Sequence, residues 1–332
     1  MSAANAVLVF LWLGVTTYAV LAGADFGGGA WDLLAGGTVR GLAQRRRIAA
    51  SIGPVWEANH VWLIFALVVL WTGFPTVFAA VASTLYIPLT VVAFGIIVRG
   101  CAFAFRKAHP HPAMKRTFGT LFVAASLVTP FFLGAVAGAI ASGRVPPGNA
   151  AGDVVRSWTG PTSLVGGALA VGGCAFLSAV FLVVDARRDG QDGLVETFRK
   201  RALATGIVVA LLSVVAAVVI RGDAPMLAAG LGGRGLPLVV ASAVLSSATL
   251  AMLYARRYVA VRVTAALAVL AILWAWAAAQ YPDLLAGSLT VVQAAAPHAT
   301  LVALLIALVL GAALVVPALG LLFWVIRMPR RA

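Results

Sequence analysis

The sequence contains nine apolar segments that are each long enough to cross a lipid bilayer as a helix. A helix needs about 20 residues to span a hydrocarbon core of about 30 Å. The segments do not alternate apolar with polar residues, which favours helices over the strands of a membrane barrel. We therefore predict an all-α, polytopic membrane protein with about nine transmembrane helices, in which residues 1–332 form a single integral membrane domain. The segments lie at residues 3–22, 55–73, 77–98, 118–141, 161–184, 202–220, 236–254, 258–279 and 298–326.

The content of charged residues excludes a water-soluble protein of this size. Charged residues make up 10% of the chain and apolar residues 62%. A soluble domain carries about 25% charged residues, which cover its surface in water. A surface that faces lipid does not need this cover.

The basic residues predict the orientation of the helices. The formal net charge is +14. If the N-terminus lies outside, the odd-numbered connections and the C-terminus face the cytoplasm and hold 19 of the 24 Lys and Arg residues, whereas the opposite side holds 4. This asymmetry is the positive-inside pattern, and it predicts an N-out, C-in topology. The basic charge therefore reflects contact with a membrane, and we expect no nucleic-acid partner.

Two connections between the segments are rich in charge. Residues 39–52 are expected to form either a short interfacial helix, with Leu42, Ala49 and Ile52 near one face, or an ordinary basic loop. Residues 185–201 mix both signs of charge and are expected to form a solvated cytoplasmic loop.

Four ionisable residues are expected at the cytoplasmic ends of the first three helices: Asp25, Glu57, His60 and Arg99. Ionisable groups in a membrane cost free energy, so each is a candidate functional residue. Asp25 lies in GADFGGG (23–29), where the glycines are expected to allow close packing and to end the first helix. A carboxylate is unfavourable at a helix C-terminus, which favours a function over simple hydration.

Glu57 lies three residues before His60, so the two side chains share one face of a helix. Glu57 is expected either to stabilise the first turn through the helix dipole or to relay protons from an apolar setting. Arg99 is expected to reach lipid phosphates or to pair with Asp25 or Glu57, although pairing with Glu57 requires a kink or a third partner. Trp62 could be an ordinary interfacial anchor.

The histidines do not suggest a haem site. Only His60 and His298 touch predicted helices, at opposite membrane faces, whereas His109 and His111 lie in a connection. Two axial ligands at matching depth are needed to hold a haem inside a helical bundle. We therefore expect this chain to bind no haem, and the two cysteines suggest no disulfide framework or metal site.

Several segments resemble subunit II of cytochrome bd and cyanide-insensitive quinol oxidases. The most specific is RRRIAASIGPVWEANHVWLI (45–64), together with GADFGGG and the Arg99-Gly100 pair. GGCAFLSAVFLVVDARR (172–188) and ETFRKRALA (196–204) are also similar. The resemblance spans most of the chain.

The resemblance implies a membrane-embedded oxidase in which a partner, subunit I, carries b-type and d-type haems and oxidises quinol while reducing oxygen to water. It implies a bacterial cytoplasmic membrane, and such complexes can include a small single-helix subunit and a structural quinone or lipid. By position, Asp25 and Glu57, with His60, correspond to the proton path, Trp62 to the oxygen path and Arg99 to a structural counter-charge.

The sequence also departs from the family pattern. Some relatives have an acidic residue where this chain has Leu21, and many have Asp or Gln in place of Glu57 and His60. Two other interpretations remain at this point. An ion-coupled secondary transporter would also have glycine-broken helices and membrane carboxylates, although usually near the midplane. A purely structural scaffold would tolerate substitution of Asp25 and Glu57.

Overall fold

The fold was obtained as a computed structural model, which describes residues 2–37, 41–53 and 56–327, without the side chains of residues 57, 58, 316, 319 and 322–327. The helices and strands, in chain order, are α1 (Ala3–Leu33), α2 (Leu42–Ile52), α3 (Trp56–Gly73), α4 (Pro75–Thr84), α5 (Tyr86–Ala108), α6 (Pro112–Ala141), α7 (Pro161–Arg188), α8 (Asp192–Asp223), α9 (Pro225–Gly232), α10 (Leu236–Tyr254), α11 (Val261–Gln280), β1 (Asp283–Leu285), β2 (Leu289–Thr290), α12 (Val291–Ala294) and α13 (His298–Arg327).

Within the described residues, eight helices are long and apolar enough to cross a membrane: α1, α5, α6, α7, α8, α10, α11 and α13. Helices α3 and α4 together form a ninth apolar pair, which is bent by 118° at Phe74. The prediction of about nine transmembrane helices is confirmed. The short antiparallel pair β1–β2 is a small addition to the all-α class.

The predicted segment 77–98 is wrong in its boundaries. The chain breaks at Leu85, so that α4 ends at Thr84 and α5 runs from Tyr86 to Ala108. Pro75 begins α4 at a position where proline suits a helix start, directly after the sharp bend. Helix α5 continues past Arg99 to Ala108, and the side chain of Arg99 is paired inside the protein.

Helix α1 does not end at Asp25, as the sequence suggested, but continues through three glycines to Leu33. Each glycine permits a close approach from a different helix. A Cβ atom on Gly27 would lie 1.9 Å from the carbonyl oxygen of Cys174 in α7, and one on Gly29 would lie 2.2 Å from the Cβ of Ser126 in α6. Gly28 faces Ile52 of α2, at 2.6 Å. The expected close packing is confirmed, but it occurs within a continuous helix.

The two charged connections are mostly helical. Residues 42–52 form α2, so the helical alternative is the one present; Ile48 and Ile52 are buried, whereas Leu42 and Ala49 are exposed. Only residues 189–191 separate α7 from α8, so the predicted loop at 185–201 is wrong. Helices α7 and α8 both extend beyond their apolar segments. At the start of α8, Arg199 donates hydrogen bonds of 2.9 and 2.8 Å to Glu196, which supports helix in a polar sequence.

Helix α1 has a central position, since it packs against α2, α3, α6, α7, α11 and α13. One apolar cluster surrounds its first half and contains residues from α3, α4 and the β1–β2 region. A second cluster lies near its other end, between α2, α6, α7 and α8. Polar side chains on α1 are therefore held inside the protein.

Candidate functional site

The central feature is a buried ion pair between Asp25 of α1 and Arg99 of α5. Arg99 Nη2 donates to Asp25 Oδ1 at 2.7 Å and to the Asp25 backbone oxygen at 3.2 Å. Arg99 Nε donates to Ser126 Oγ of α6 at 3.0 Å. Both charged side chains are 1% exposed. The pairing with Asp25, one of the alternatives predicted for Arg99, is therefore present.

Aromatic rings enclose the guanidinium group of Arg99. Its Cζ atom lies 4.7 Å from the centre of the Phe26 ring and 5.0 Å from that of Phe122. These cation–π contacts and the hydrogen bonds partly offset the cost of removing two charges from water. Arg99 is among the largest fully buried side chains of the described residues. Its neutral replacement would leave Asp25 as an uncompensated charge.

A second ion pair, between Asp32 and Arg106, lies toward the C-terminal ends of the same two helices. Arg106 Nη1 lies 2.5 Å from Asp32 Oδ2, and Arg45 of α2 donates from Nε to Asp32 Oδ1 at 3.0 Å. Asp32 is 6% exposed. Sequence reasoning missed this pair. Asp25 to Asp32 and Arg99 to Arg106 are both steps of seven residues, a spacing that places each set on one helix face and could have revealed it.

His60 lies beside the Asp25–Arg99 ion pair. Its ring centre is 6.1 Å from that of Phe26, the ring that also contacts Arg99, and 6.1 Å from that of Tyr18. The Nδ1 atom of His60, the hydroxyl of Tyr18 and Oδ2 of Asp25 are buried and have no hydrogen-bond partner among the side chains that the structure describes. Buried polar atoms in native proteins are almost always paired, so these three atoms mark a polar site whose other partners are not among the described side chains.

Glu57 lies in the first turn of α3, which begins at Trp56. Its side chain is outside the described residues, so its predicted shared face with His60 stays a prediction. Asn59 fixes this end of α3 against α1, since its Nδ2 donates to the carbonyl oxygen of Leu21 at 3.3 Å.

Trp62 lies against the apolar side of the rings that neighbour His60. It packs against the cluster of Tyr18, Ala22 and Phe26, and its ring centre is 5.9 Å from that of Phe65. The side chain is partly buried. Its surroundings suit a small apolar molecule better than an ion.

A separate ion pair, between Arg144 and Asp223, lies at the opposite end of the bundle. Arg144, in the connection after α6, contacts both carboxylate oxygens of Asp223, one of them at 2.8 Å. Thr162 donates to the same carboxylate from its backbone nitrogen and its hydroxyl, at 3.0 and 2.6 Å. The hydrogen bond to Asp223 raises the pKa of Arg144. This cluster connects three segments and has no unpaired carboxylate oxygen, so it is structural.

The described residues contain no group of three His, Cys, Asp or Glu side chains that could hold a metal ion. His109 and His111 lie next to each other between α5 and α6, with ring centres 5.5 Å apart, while His298 begins α13. The structure thus brings together Asp25, Arg99 and His60, and adds Ser126 and Tyr18, which the sequence did not single out. These two carry no charge, so the sequence gives them no membrane penalty that would draw attention.

Comparison with known proteins identifies the family. The sequence model described as cytochrome bd terminal oxidase subunit II matches residues 3–326. Cytochrome bd ubiquinol oxidase subunit 2 of Bacillus subtilis (strain 168) is 34% identical over 114 residues, which are 34% of this chain and 33% of that protein. Cytochrome bd-I ubiquinol oxidase subunit 2 of Escherichia coli (strain K12) is 30% identical over 142 residues, which are 41% of this chain and 37% of that protein. The matched segments therefore span only about a third of the length of these curated relatives.

A solved structure extends the similarity to the whole fold. The structure of bd oxidase from Geobacillus thermodenitrificans superimposes with a TM-score of 0.77, at 23% sequence identity, over 98% of this chain and 99% of that chain. The shared fold agrees with the family match, which covers nearly all of the sequence. The chain belongs to the cytochrome bd terminal oxidase subunit II family.

Proposed function

We propose that this chain is the haem-free subunit of a terminal quinol oxidase that reduces oxygen to water in aerobic respiration. The observation that carries the proposal is the family match over residues 3–326, in a chain whose fold follows that of a bd oxidase. Residues 1–332 act as a single integral membrane domain that supports a haem-bearing subunit I. An ion-coupled transporter is not favoured by the family match.

The catalytic cofactors belong to the partner in this proposal. The donor set of the described residues does not fit a haem: His60 packs against Tyr18 and Phe26, and the other three histidines lie elsewhere. Subunit I would supply the b-type and d-type haems and bind quinol and oxygen. A small single-helix subunit and a structural quinone or lipid are further components in this proposal.

The chain itself would admit protons and oxygen to the partner. Glu57 receives protons at the start of α3, and His60 and Asp25 continue the path. Arg99 is the counter-charge of Asp25 inside the bundle, as the 2.7 Å contact supports. The surroundings of Trp62 support an apolar route for oxygen.

We propose a bacterial cytoplasmic membrane and an N-out, C-in orientation, on the basis of the 19-to-4 division of basic residues. A reporter that is active only in the cytoplasm should be active when it is fused after Ala332. The same reporter inserted between residues 144 and 156 should be inactive, because this connection lies at the opposite end of the bundle. Activity in the reverse pattern would contradict the orientation.

Co-purification tests the assignment to an oxidase. The full chain, tagged and extracted from its own membranes in mild detergent, should carry with it a larger haem-bearing polypeptide in equal amount. The reduced-minus-oxidised spectrum of this complex should show the haem bands. After the polypeptides are separated without loss of haem, the bands should follow the partner. A tagged chain that is purified intact and alone, or haem that stays with this chain, would contradict the proposal.

A further inference from the structure

A cleft with a volume of about 380 Å³ lies at the basic side of the bundle, away from the ion pairs of α1. It is found between the turn that joins α7 to α8 and the connection from α10 to α11. Two arginines and two carboxylates balance the charge of its lining, so the cleft offers both signs of charge to one bound molecule. The lining residues are Arg187, Asp192, Val195, Glu196, Arg256 and Tyr258.

The two arginines of the cleft can donate hydrogen bonds to an anion. Arg187 is exposed in the last turn of α7, and its Cζ atom lies 5.6 Å from the centre of the Tyr258 ring. Contact with the face of a ring does not use the N–H groups of a guanidinium. Arg256 Nη2 lies 3.6 Å from Glu196 Oε2, which is longer than a hydrogen bond, and the side chain of Arg256 is 67% exposed. Glu196 accepts its hydrogen bonds from Arg199 instead.

The backbone at Arg256 indicates that its side chain is needed. Its φ angle is 58°, in the left-handed region that favours glycine. The Arg256 N–H donates to the Leu253 oxygen at 3.2 Å and the Arg257 N–H to the Met252 oxygen at 2.8 Å. This is the pattern of a helix end at which glycine is the usual residue. Arginine has a conformational cost here that glycine would not have, and a role of the guanidinium in the cleft accounts for it.

The charged groups of the cleft lie at different depths. Arg256 and Tyr258 are placed directly at the ends of the apolar segments 236–254 and 258–279, whereas Glu196 and Asp192 belong to the polar start of α8. Asp192 is four residues beyond Glu196, which is about 6 Å along the helix. The headgroup layer outside the hydrocarbon core is roughly 5–8 Å thick on each side. A phospholipid in this layer would therefore meet Arg256 first and the carboxylates further out.

Apolar side chains beside the cleft face outward. Tyr254 and Val259, which flank Arg256 in the sequence, are 79% and 101% exposed. Such exposure suits contact with lipid, and tyrosine is enriched at membrane surfaces. Helices α8 and α10 lead from the cleft into the apolar layer and expose further apolar residues, among them Ile207, Leu211, Val240 and Val244. The acyl chains of a lipid held at the cleft can therefore lie against the protein.

We propose that this cleft binds the headgroup of phosphatidylethanolamine, a phospholipid that carries a phosphate and a primary ammonium group. The phosphate accepts hydrogen bonds from Arg187 and Arg256. The ammonium group, which two methylene groups separate from the phosphate, donates to Glu196 and Asp192. The bound lipid connects the turn after α7 to the connection after α10. The site does not depend on the proposed role in oxygen reduction.

The composition of the lining selects this headgroup over two others. A phosphatidylglycerol headgroup brings a negative charge and no cation, so both carboxylates would be left beside an anion. A trimethylated ammonium group, as in phosphatidylcholine, has no N–H to donate to a carboxylate. Only the primary ammonium group both carries the positive charge and donates hydrogen bonds.

The test counts the lipid molecules that stay bound to the protein, purified in mild detergent with any subunits that accompany it. After exchange into lipid-free detergent, the protein is given phosphatidylethanolamine or phosphatidylglycerol of the same acyl chains, and bound lipid is counted by native mass spectrometry. We expect phosphatidylethanolamine to bind at least about threefold more tightly than phosphatidylglycerol. Arg187→Gln should weaken its binding at least about threefold. Arg188→Gln changes the neighbouring exposed arginine, outside the cleft lining, and should have no effect.

Arg256→Gly separates lipid binding from folding. Glycine suits the left-handed backbone, so the amount of purified protein should not fall, whereas phosphatidylethanolamine should bind at least about threefold more weakly. Asp192→Asn should lower the preference for phosphatidylethanolamine over phosphatidylglycerol. Equal binding of phosphatidylethanolamine to the unchanged protein, Arg187→Gln and Arg256→Gly would overturn the proposal. A preference for phosphatidylglycerol, or a map of the purified protein in which a protein segment fills the cleft, would do the same.

Discussion

Replacement of Arg99 by methionine is expected to prevent most of the complex from assembling. Methionine is unbranched and apolar, so it can occupy the space between Phe26 and Phe122, but it leaves Asp25 as a buried charge without a partner. Removing one member of a buried ion pair costs about 3–5 kcal/mol. Whole domains are stable by only about 5–15 kcal/mol, so this loss is large. The measurement is the amount of haem-bearing complex per milligram of membrane protein.

Two further variants separate the loss of charge from the loss of packing. Arg116→Met removes an exposed arginine of α6 at the basic side and should leave the amount of complex unchanged. Arg99→Met combined with Asp25→Asn removes both charges and should recover most of the assembly, because a buried pair can often be replaced as a whole at little cost. Normal assembly of Arg99→Met alone, or a double variant that is as impaired as the single one, would contradict the role of Arg99 as a counter-charge.

The sequence singled out both residues of the buried ion pair but misplaced them along their helices. Asp25 and Arg99 stood out because charges in apolar segments are costly, and the same reasoning placed both at helix ends, where water could reach them. The structure instead keeps both helices continuous and pairs the charges across 74 positions of sequence. A pairing of this kind depends on how α1, α5 and α6 pack, which one sequence does not specify.

The lengths of the helices could be predicted only in part from the sequence. The apolar segments predict how much of each helix suits a bilayer, but α7 and α8 continue through polar sequence until only residues 189–191 separate them. Local contacts such as Glu196 with Arg199 stabilise these polar ends. The packing of the three glycines after Asp25 could also be predicted only in part. Their need for close packing was evident from composition, whereas the identity of the partners, α7, α2 and α6, required the structure.

Replacement of Glu57 by glutamine should separate the two explanations of this residue. Glutamine keeps the size and most of the hydrogen-bonding capacity of glutamate but cannot release or accept a proton at neutral pH. If Glu57 only stabilises the start of α3 through the helix dipole, the change costs about 0.3–1 kcal/mol of stability and leaves turnover nearly unchanged. Glu57→Asp should retain more activity than Glu57→Gln, because it keeps the carboxylate. Asp25→Asn should slow turnover per haem similarly if the two acids share one route, and it should also lower the amount of complex, because it leaves Arg99 without its partner charge.

The most direct test of proton access through this subunit is the rate of quinol-driven oxygen consumption per haem in the purified Glu57→Gln complex. We expect full assembly, an unchanged haem spectrum and a rate at least about tenfold lower, which corresponds to about 1.4 kcal/mol of additional barrier. A Glu57→Gln complex with full haem content and a normal rate would contradict the account and reduce Glu57 to a residue that stabilises the start of α3.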